Sequence, residues 1–169
     1  YRLEGFDANW IDAGTRRLPL QRKVGAGLSL AQFSRAKAEG TVRHVGLPES
    51  VHMIADALGF KIDRIEETLE PAIAPRDLNT DYLRIAAGTA AGIKQSARGY
   101  SKTGLVVSLD LHMYVGADSP KDHIVIDGSP SMDMTVKGGI AGDIATAAIS
   151  VNAIPKVMLA RPGVLTMRD

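Results

Sequence analysis

The chain has 169 residues, a formal net charge of +1 and no cysteine, with 45% hydrophobic and 23% charged residues. These values are typical of one globular domain with a sizeable core. The absence of cysteine excludes disulfides, thiolate catalysis and thiolate metal sites. The sequence has neither a basic stripe interleaved with aromatic residues nor an apolar run of the roughly 20 residues that a membrane span needs. We therefore expect a cytoplasmic protein that binds neither nucleic acid nor membrane.

Two helices are predicted in the first third of the chain. Ser29 and Gln32 have the spacing of a capping box, which predicts a helix that runs to Glu39 and is stopped by Gly40. A second helix is predicted over Pro48–Leu58, because a proline and a glutamate suit its first turn and apolar residues recur at helical spacing.

A glycine-rich turn precedes the first of these helices. Gly25 and Gly27 are typical of a dinucleotide-binding fingerprint, but Leu30 stands where that fingerprint requires a third glycine. We therefore assign no cofactor-binding residues in this chain.

The second half reads mainly as strands. Residues 61–74 are ambiguous between helix and strand, and Pro71 favours an extended edge strand. Alternating residues from Thr89 onward predict a hairpin that turns at Ser101–Gly104. Two further short strands are predicted at His123–Asp127 and Met132–Val136.

The chain closes with the segment GGIAGDIATAAISVNAIPKVMLARP, from Gly138 to Pro162. Its glycines predict a turn, after which Asp143 or Thr146 can cap a helix that Pro155 ends or kinks. A helix that starts in a glycine turn is a ready anion site. The alternative is a tight turn before a helix that only packs.

These elements together predict an α+β domain. Its sheet is mixed or mainly antiparallel and is covered on one face by helices. The alternating strand Leu105–Val115 is expected to offer an apolar face to a partner, which predicts a dimer or a larger homo-oligomer.

Four motifs resemble the C-terminal domain of 2,4-diaminopentanoate dehydrogenases and their dihydrodipicolinate reductase-like relatives. They are DAGTRRLPLQRKVGAGL at 12–28, GTVRHVGLPESVHMIADALGF at 40–60, GGIAGDIATAAISVNAIP at 138–155 and RPGVLTMRD at 161–169. The resemblance implies oxidative deamination of an amino acid by an enzyme whose separate Rossmann domain binds NAD or NADP. It also implies that residues 12–169 form the substrate-binding and oligomerisation domain, which binds no cofactor alone.

The first 17 residues, YRLEGFDANWIDAGTRR, resemble instead the triple-tyrosine module of bacterial sensor kinases. Residues 1–11 are therefore interpreted as a foreign or remnant segment. The alternative function is a non-catalytic interaction or sensing domain of a bacterial regulatory protein.

The substrate implied by the first resemblance carries one carboxylate and two ammonium groups. An arginine fork or helix N-terminal N–H groups suit the carboxylate. An acidic or amide oxygen suits an ammonium. The predicted substrate-binding residues are Arg16, Arg17, Glu49, Gln95, Gly139, Asp143 and Thr146.

Hydride loss requires a neutral amine, so a general base is needed. His44 is the first candidate, and Lys23 is a second that would need desolvation to act. The alternatives without a catalytic role are that His44 is a structural histidine and that the charged candidates are only solvated. His112 and His123 are expected to be surface or structural residues. No metal site is expected, because the sequence has no ligand pair at the required spacing. Residues 12–17 and Gly138–Asp143 are expected to share one pocket with His44 and Glu49.

Overall fold

The computed structural model describes residues 2–4, 17–140 and 142–166. The helices in these ranges are α1 (Arg17–Lys23), α2 (Leu30–Ala38), α3 (Leu47–Ala57) and α4 (Gly142–Leu159). The strands are β1 (Arg2–Glu4), β2 (Arg64–Ile73), β3 (Leu78–Asn79), β4 (Arg84–Ile85), β5 (Ala90–Ser101), β6 (Gly104–Tyr114), β7 (Lys121–Ile126) and β8 (Met132–Lys137).

The chain divides into two compact bodies, one that ends at Gly139 and one that begins at Ile140 and contains α4. The first body is built on a six-stranded sheet in the order β2-β5-β6-β1-β7-β8, with β3 and β4 as a separate pair. All neighbours in the large sheet are antiparallel except β1 and β6, which are parallel. The predicted α+β class with a mainly antiparallel sheet is confirmed.

One face of the sheet is covered by helices. The side chains of Val51 and Ala55 on α3 pack against Ala97 on β5 and Val107 on β6, all of them buried. A second cluster joins Phe33 of α2 to buried residues of the preceding turn and of β5. The predicted covering of one face is therefore confirmed, and this packing holds the chain between α2 and α3 over the sheet.

The opposite face of the long hairpin is polar. Thr68 and Ser96 are joined by a 2.7 Å hydroxyl hydrogen bond across β2 and β5. Arg98 Nη2 lies 2.6 Å from Asp110 Oδ1 across β5 and β6. The expectation that β6 leaves its apolar face to a partner is wrong, because α3 covers Val107 and its apolar neighbours on β6 within the same chain.

Strand β2 is an edge strand, and its margin carries two features that limit further pairing. Pro71 lies within it and has no N–H to donate, and Lys37 Nζ donates to the main-chain oxygen of Leu69 at 2.6 Å. The extended-edge interpretation of residues 61–74 is confirmed. The carbonyl oxygen of Leu69 and the nitrogen of Pro71 point toward the same side of β2, because main-chain groups two residues apart in a strand point the same way.

The predicted helices form with small shifts of their ends. Ser29 caps α2 and completes the capping box, since Ser29 N donates to Gln32 Oε1 at 2.9 Å and Gln32 N donates to Ser29 Oγ at 3.3 Å. The predicted hairpin turns at Ser101–Gly104, and the two short strands after it form as β7 and β8. Helix α1 has no counterpart among the sequence-based predictions.

Helix α4 begins at Gly142 and continues through Pro155 to Leu159. Thr146 does not cap it, because its hydroxyl donates to the carbonyl oxygen of Gly142 at 2.7 Å, one turn back. Apolar side chains lie exposed along its length, and Val157 is 66% exposed. None of the helices in the described ranges has the length and hydropathy needed to cross a bilayer.

Candidate functional site

A buried polar group in the first body surrounds His44, which lies in the loop between α2 and α3. The side-chain amide of Gln95 pairs with the main chain of His44 in both directions. His44 N donates to Gln95 Oε1 at 2.9 Å, and Gln95 Nε2 donates to His44 O at 2.9 Å. The structure thus brings together two of the residues predicted from the sequence, although they are 51 positions apart.

Glu67 on β2 completes this group. Gln95 Nε2 also donates to Glu67 Oε1 at 2.6 Å. Gln95 is only 2% exposed, whereas Glu67 is exposed at the margin of the sheet. No sequence pattern marks Glu67, because a glutamate among other glutamates on an edge strand resembles a solvated charge.

The surroundings of His44 favour its neutral imidazole form. Its pKa is lowered below 6.5, first by burial and then by the positive charge of Lys23. An imidazolium would also need an acceptor for each ring N–H. The enclosed Nδ1 has none among the described residues. A neutral imidazole at neutral pH is the form that can accept a proton.

The other predicted groups around this loop are exposed. Lys23 ends α1 with its side chain exposed, and its positive charge lowers the pKa of His44. Glu49 lies in the first turn of α3 with its side chain exposed. The roles assigned to both residues stay predictions.

The main-chain N–H groups of the turn at Gly25–Gly27 all make hydrogen bonds within the fold. All four N–H groups of residues 25–28 donate to main-chain oxygens, at 2.9, 3.0, 2.8 and 3.2 Å in chain order. A Cβ on Gly25 would meet Phe33 and Val42 within 3.2 Å. These N–H groups therefore cannot cradle a phosphate, and this turn does not fit a dinucleotide.

The predicted glycine turn before α4 does form. Gly138 and Gly139 have φ values of 82° and 70°, which favour glycine. Gly139 ends the first body, whereas Asp143 and Thr146 belong to the second. Arg16 and residues 12–15 lie outside the described residues, as do the side chains of Arg17 and Asp143. The pocket predicted between them therefore stays a prediction.

A second polar group lies at the far end of the sheet. His123 Nε2 is 2.8 Å from Asp133 Oδ1 across β7 and β8. A groove of about 650 Å³ runs beside it, lined by polar residues such as Arg98 and Ser108 and by apolar residues that include Val106 and Met132. Within the described ranges, no three histidine or acidic side chains are grouped as a metal site would require.

The fold has a solved counterpart. The chain superposes on an amine dehydrogenase from Mycobacterium smegmatis with a TM-score of 0.74 and 20% identity, over 88% of this chain and 45% of that one. This likeness shows that the chain shares the fold of the matched part of that amine dehydrogenase.

The sequence comparisons define the family. Residues 18–169 match the 2,4-diaminopentanoate dehydrogenase C-terminal domain. A 2,4-diaminopentanoate dehydrogenase from Acetoanaerobium sticklandii is 34% identical in an alignment 156 residues long, which covers 89% of this chain and 44% of that protein. The chain belongs to the family of 2,4-diaminopentanoate dehydrogenase C-terminal domains. It spans less than half the length of the relatives that it matches.

Proposed function

We propose that this chain is the substrate-binding and oligomerisation domain of an NAD(P)-dependent dehydrogenase that oxidatively deaminates an amino acid, with 2,4-diaminopentanoate or a close analogue as substrate. The family match over residues 18–169 carries this proposal. The site around His44 supports it, because burial lowers the pKa of this half-buried imidazole and so favours the neutral form that can accept a proton.

The chemistry assigned to this chain is binding and deprotonation. An amine-bearing carbon can lose hydride only when its nitrogen is neutral, so His44 takes a proton from the substrate ammonium. NAD or NADP accepts the hydride in the complete enzyme, and the resulting imine is hydrolysed to a ketone. Arg16, Arg17 and the α4 start, with Gly139, Asp143 and Thr146, are the proposed carboxylate contacts. Glu49 is the proposed ammonium contact, with Asp143 as a further candidate. Gln95, which the sequence also suggested for this role, has its amide oxygen and nitrogen bonded to His44 and Glu67.

The cofactor is assigned to the part of the dehydrogenase outside this chain. The N–H groups of residues 25–28 are taken by main-chain oxygens, and no other glycine fingerprint occurs in the sequence. We infer that the chain is inactive alone and that it works in the cytoplasm as a homo-oligomer. The residues that suggested a sensing module, 1–17, lie outside the family match.

Joining this chain to the amino-terminal half of the Acetoanaerobium relative tests the proposal. The rebuilt enzyme should reduce NAD⁺ or NADP⁺ when 2,4-diaminopentanoate is added. His44→Gln should lower kcat by about 10²–10⁴-fold, the usual loss for a general base. His52→Gln is the matched control, because His52 is exposed on α3. Full activity in His44→Gln, or no turnover by the rebuilt enzyme, would contradict the proposal.

A further inference from the structure

Gln95 is a buried amide in an otherwise apolar row. It lies on the helix-covered face of β5 between Ile93 and Ala97, which are both 0% exposed, and is itself 2% exposed. Burial of an amide is unfavourable unless its hydrogen bonds are replaced. Here the oxygen accepts one hydrogen bond and the nitrogen donates two. The amide is thus satisfied by partners that lie outside the apolar row.

The loop that carries His44 depends on this amide. The N–H and the carbonyl of His44 both bond to the Gln95 side chain rather than to another main-chain segment. The amide therefore provides both main-chain hydrogen bonds of His44, as a neighbouring strand would in a sheet. It fixes the position from which the imidazole leaves the main chain.

Glu67 selects the orientation of the amide that makes this pairing possible. With the amide reversed, its NH₂ group would face the N–H of His44, and its oxygen would face the carbonyl of His44 and the carboxylate of Glu67. The carboxylate accepts only, and its 2.6 Å contact with Nε2 fixes one orientation. Glu67 thus acts on His44 through Gln95, from an exposed position on β2.

We propose that Glu67 and Gln95 are positioning residues that fix the main chain of His44, and with it the direction of the imidazole toward the substrate amine. This inference rests on the proposed role of His44 as the base. Neither residue takes part in proton transfer. The carboxylate of Glu67 orients the amide of Gln95, and the amide of Gln95 holds His44.

The test uses hydrogen exchange of the His44 amide and the NMR signals of its ring in this chain. Gln95→Leu and Glu67→Leu should each speed exchange at His44 by about tenfold or more and shift the ring signals, because the hydrogen bond from His44 N is lost or disordered. Glu67→Gln should restore both readouts to near the original values, since an amide oxygen still accepts from Gln95 Nε2.

Thr68→Val is the matched control, because it removes a hydrogen bond between the same two strands on the opposite face of the sheet. It should leave His44 unchanged. If Gln95→Leu does not fold, the two Glu67 variants carry the test, since Glu67 is exposed. Unchanged exchange and ring signals in Glu67→Leu would overturn the inference. If exchange changes as expected while His44→Gln stays active in the rebuilt enzyme, the positioning pair stands and the proposed base is wrong.

Discussion

Gly99 on β5 lies so close to Val51 on α3 that a Cβ at Gly99 would be 2.4 Å from Val51 Cγ1. This contact sets how closely α3 approaches the sheet and hence where the loop with His44 is held. Gly99→Ala should lower the free energy of unfolding by about 1–3 kcal/mol, the usual cost of overpacking a core. Chemical denaturation measures this change.

The control for this substitution is Gly128→Ala. A Cβ there would meet its nearest neighbour at 3.7 Å, which is ordinary contact, and Gly128 lies outside the positive-φ glycines. Its free energy of unfolding should stay near that of the original chain. If both substitutions changed the free energy of unfolding equally, the packing of α3 against the sheet would not depend on the absence of a side chain at Gly99.

The pKa of His44 should be measurably below 6.5. Lys23→Met should raise it, because a nearby positive charge opposes protonation. NMR titration of the imidazole measures both values, with Lys102→Met in the β5–β6 turn as the control. A pKa of His44 above 6.5 in the original chain would contradict the burial that the structure assigns to this ring.

The same shift makes stability depend on pH. Between the folded-state pKa of His44 and the unfolded value of 6.5, the unfolded chain binds more protons than the folded chain. The contribution of His44 to the free energy of unfolding is therefore fully present above pH 6.5 and is lost as the pH falls through the folded-state pKa. Urea denaturation should show that His44→Gln removes this part of the acid sensitivity.

This chain alone should not bind NAD(H) or NADP(H). Its glycine turn at residues 25–28 donates every N–H to main-chain oxygens, and phosphate binding depends on N–H groups that are available. Titration calorimetry of the chain with each nucleotide should give no heat of binding, while the rebuilt enzyme serves as the positive control. Micromolar affinity for either nucleotide would show that this domain holds a cofactor site of its own.

A homo-oligomer of this chain should use the groove at the β7–β8 end of the sheet. Met132 lines that groove and is 53% exposed, so Met132→Glu would place a charge in the contact and shift the assembly toward monomer. Met53→Glu on α3, where the methionine is 43% exposed, is the control and should not change the mass. Light scattering at micromolar concentration measures the molar mass of the original chain and of both variants. A monomer mass for the original chain would contradict the proposed assembly.

The sequence predicted the elements whose signals are local. The capping box of Ser29 and Gln32 and the long alternating hairpin form as expected, because their hydrogen bonds join residues close in sequence. The prediction that Thr146 can cap α4 was wrong, because a hydroxyl near a helix start can either cap the helix or donate to a carbonyl one turn back. Since α4 begins at Gly142, Thr146 lies inside the helix and donates to the Gly142 carbonyl.

The site was only partly predictable for the same reason. His44 and Gln95 could be named from their chemistry, but their pairing depends on how α3 packs on the sheet, which no local pattern encodes. Glu67 could not be found, since its role comes from one contact with a buried amide. Helix α1 lacked the apolar spacing that marks the other helices.

The two margins of the sheet differ in a way that bears on how copies of this chain can join. At β2, the missing N–H of Pro71 and the bond from Lys37 to Leu69 remove two main-chain groups from pairing with another strand. At the other margin stands β8, which follows β7 in the strand order. Joining head to tail needs two different margins, whereas two copies that meet at β8 use the same margin of each. Copies joined head to tail through main-chain pairing would therefore have to use the part of β2 that precedes Leu69.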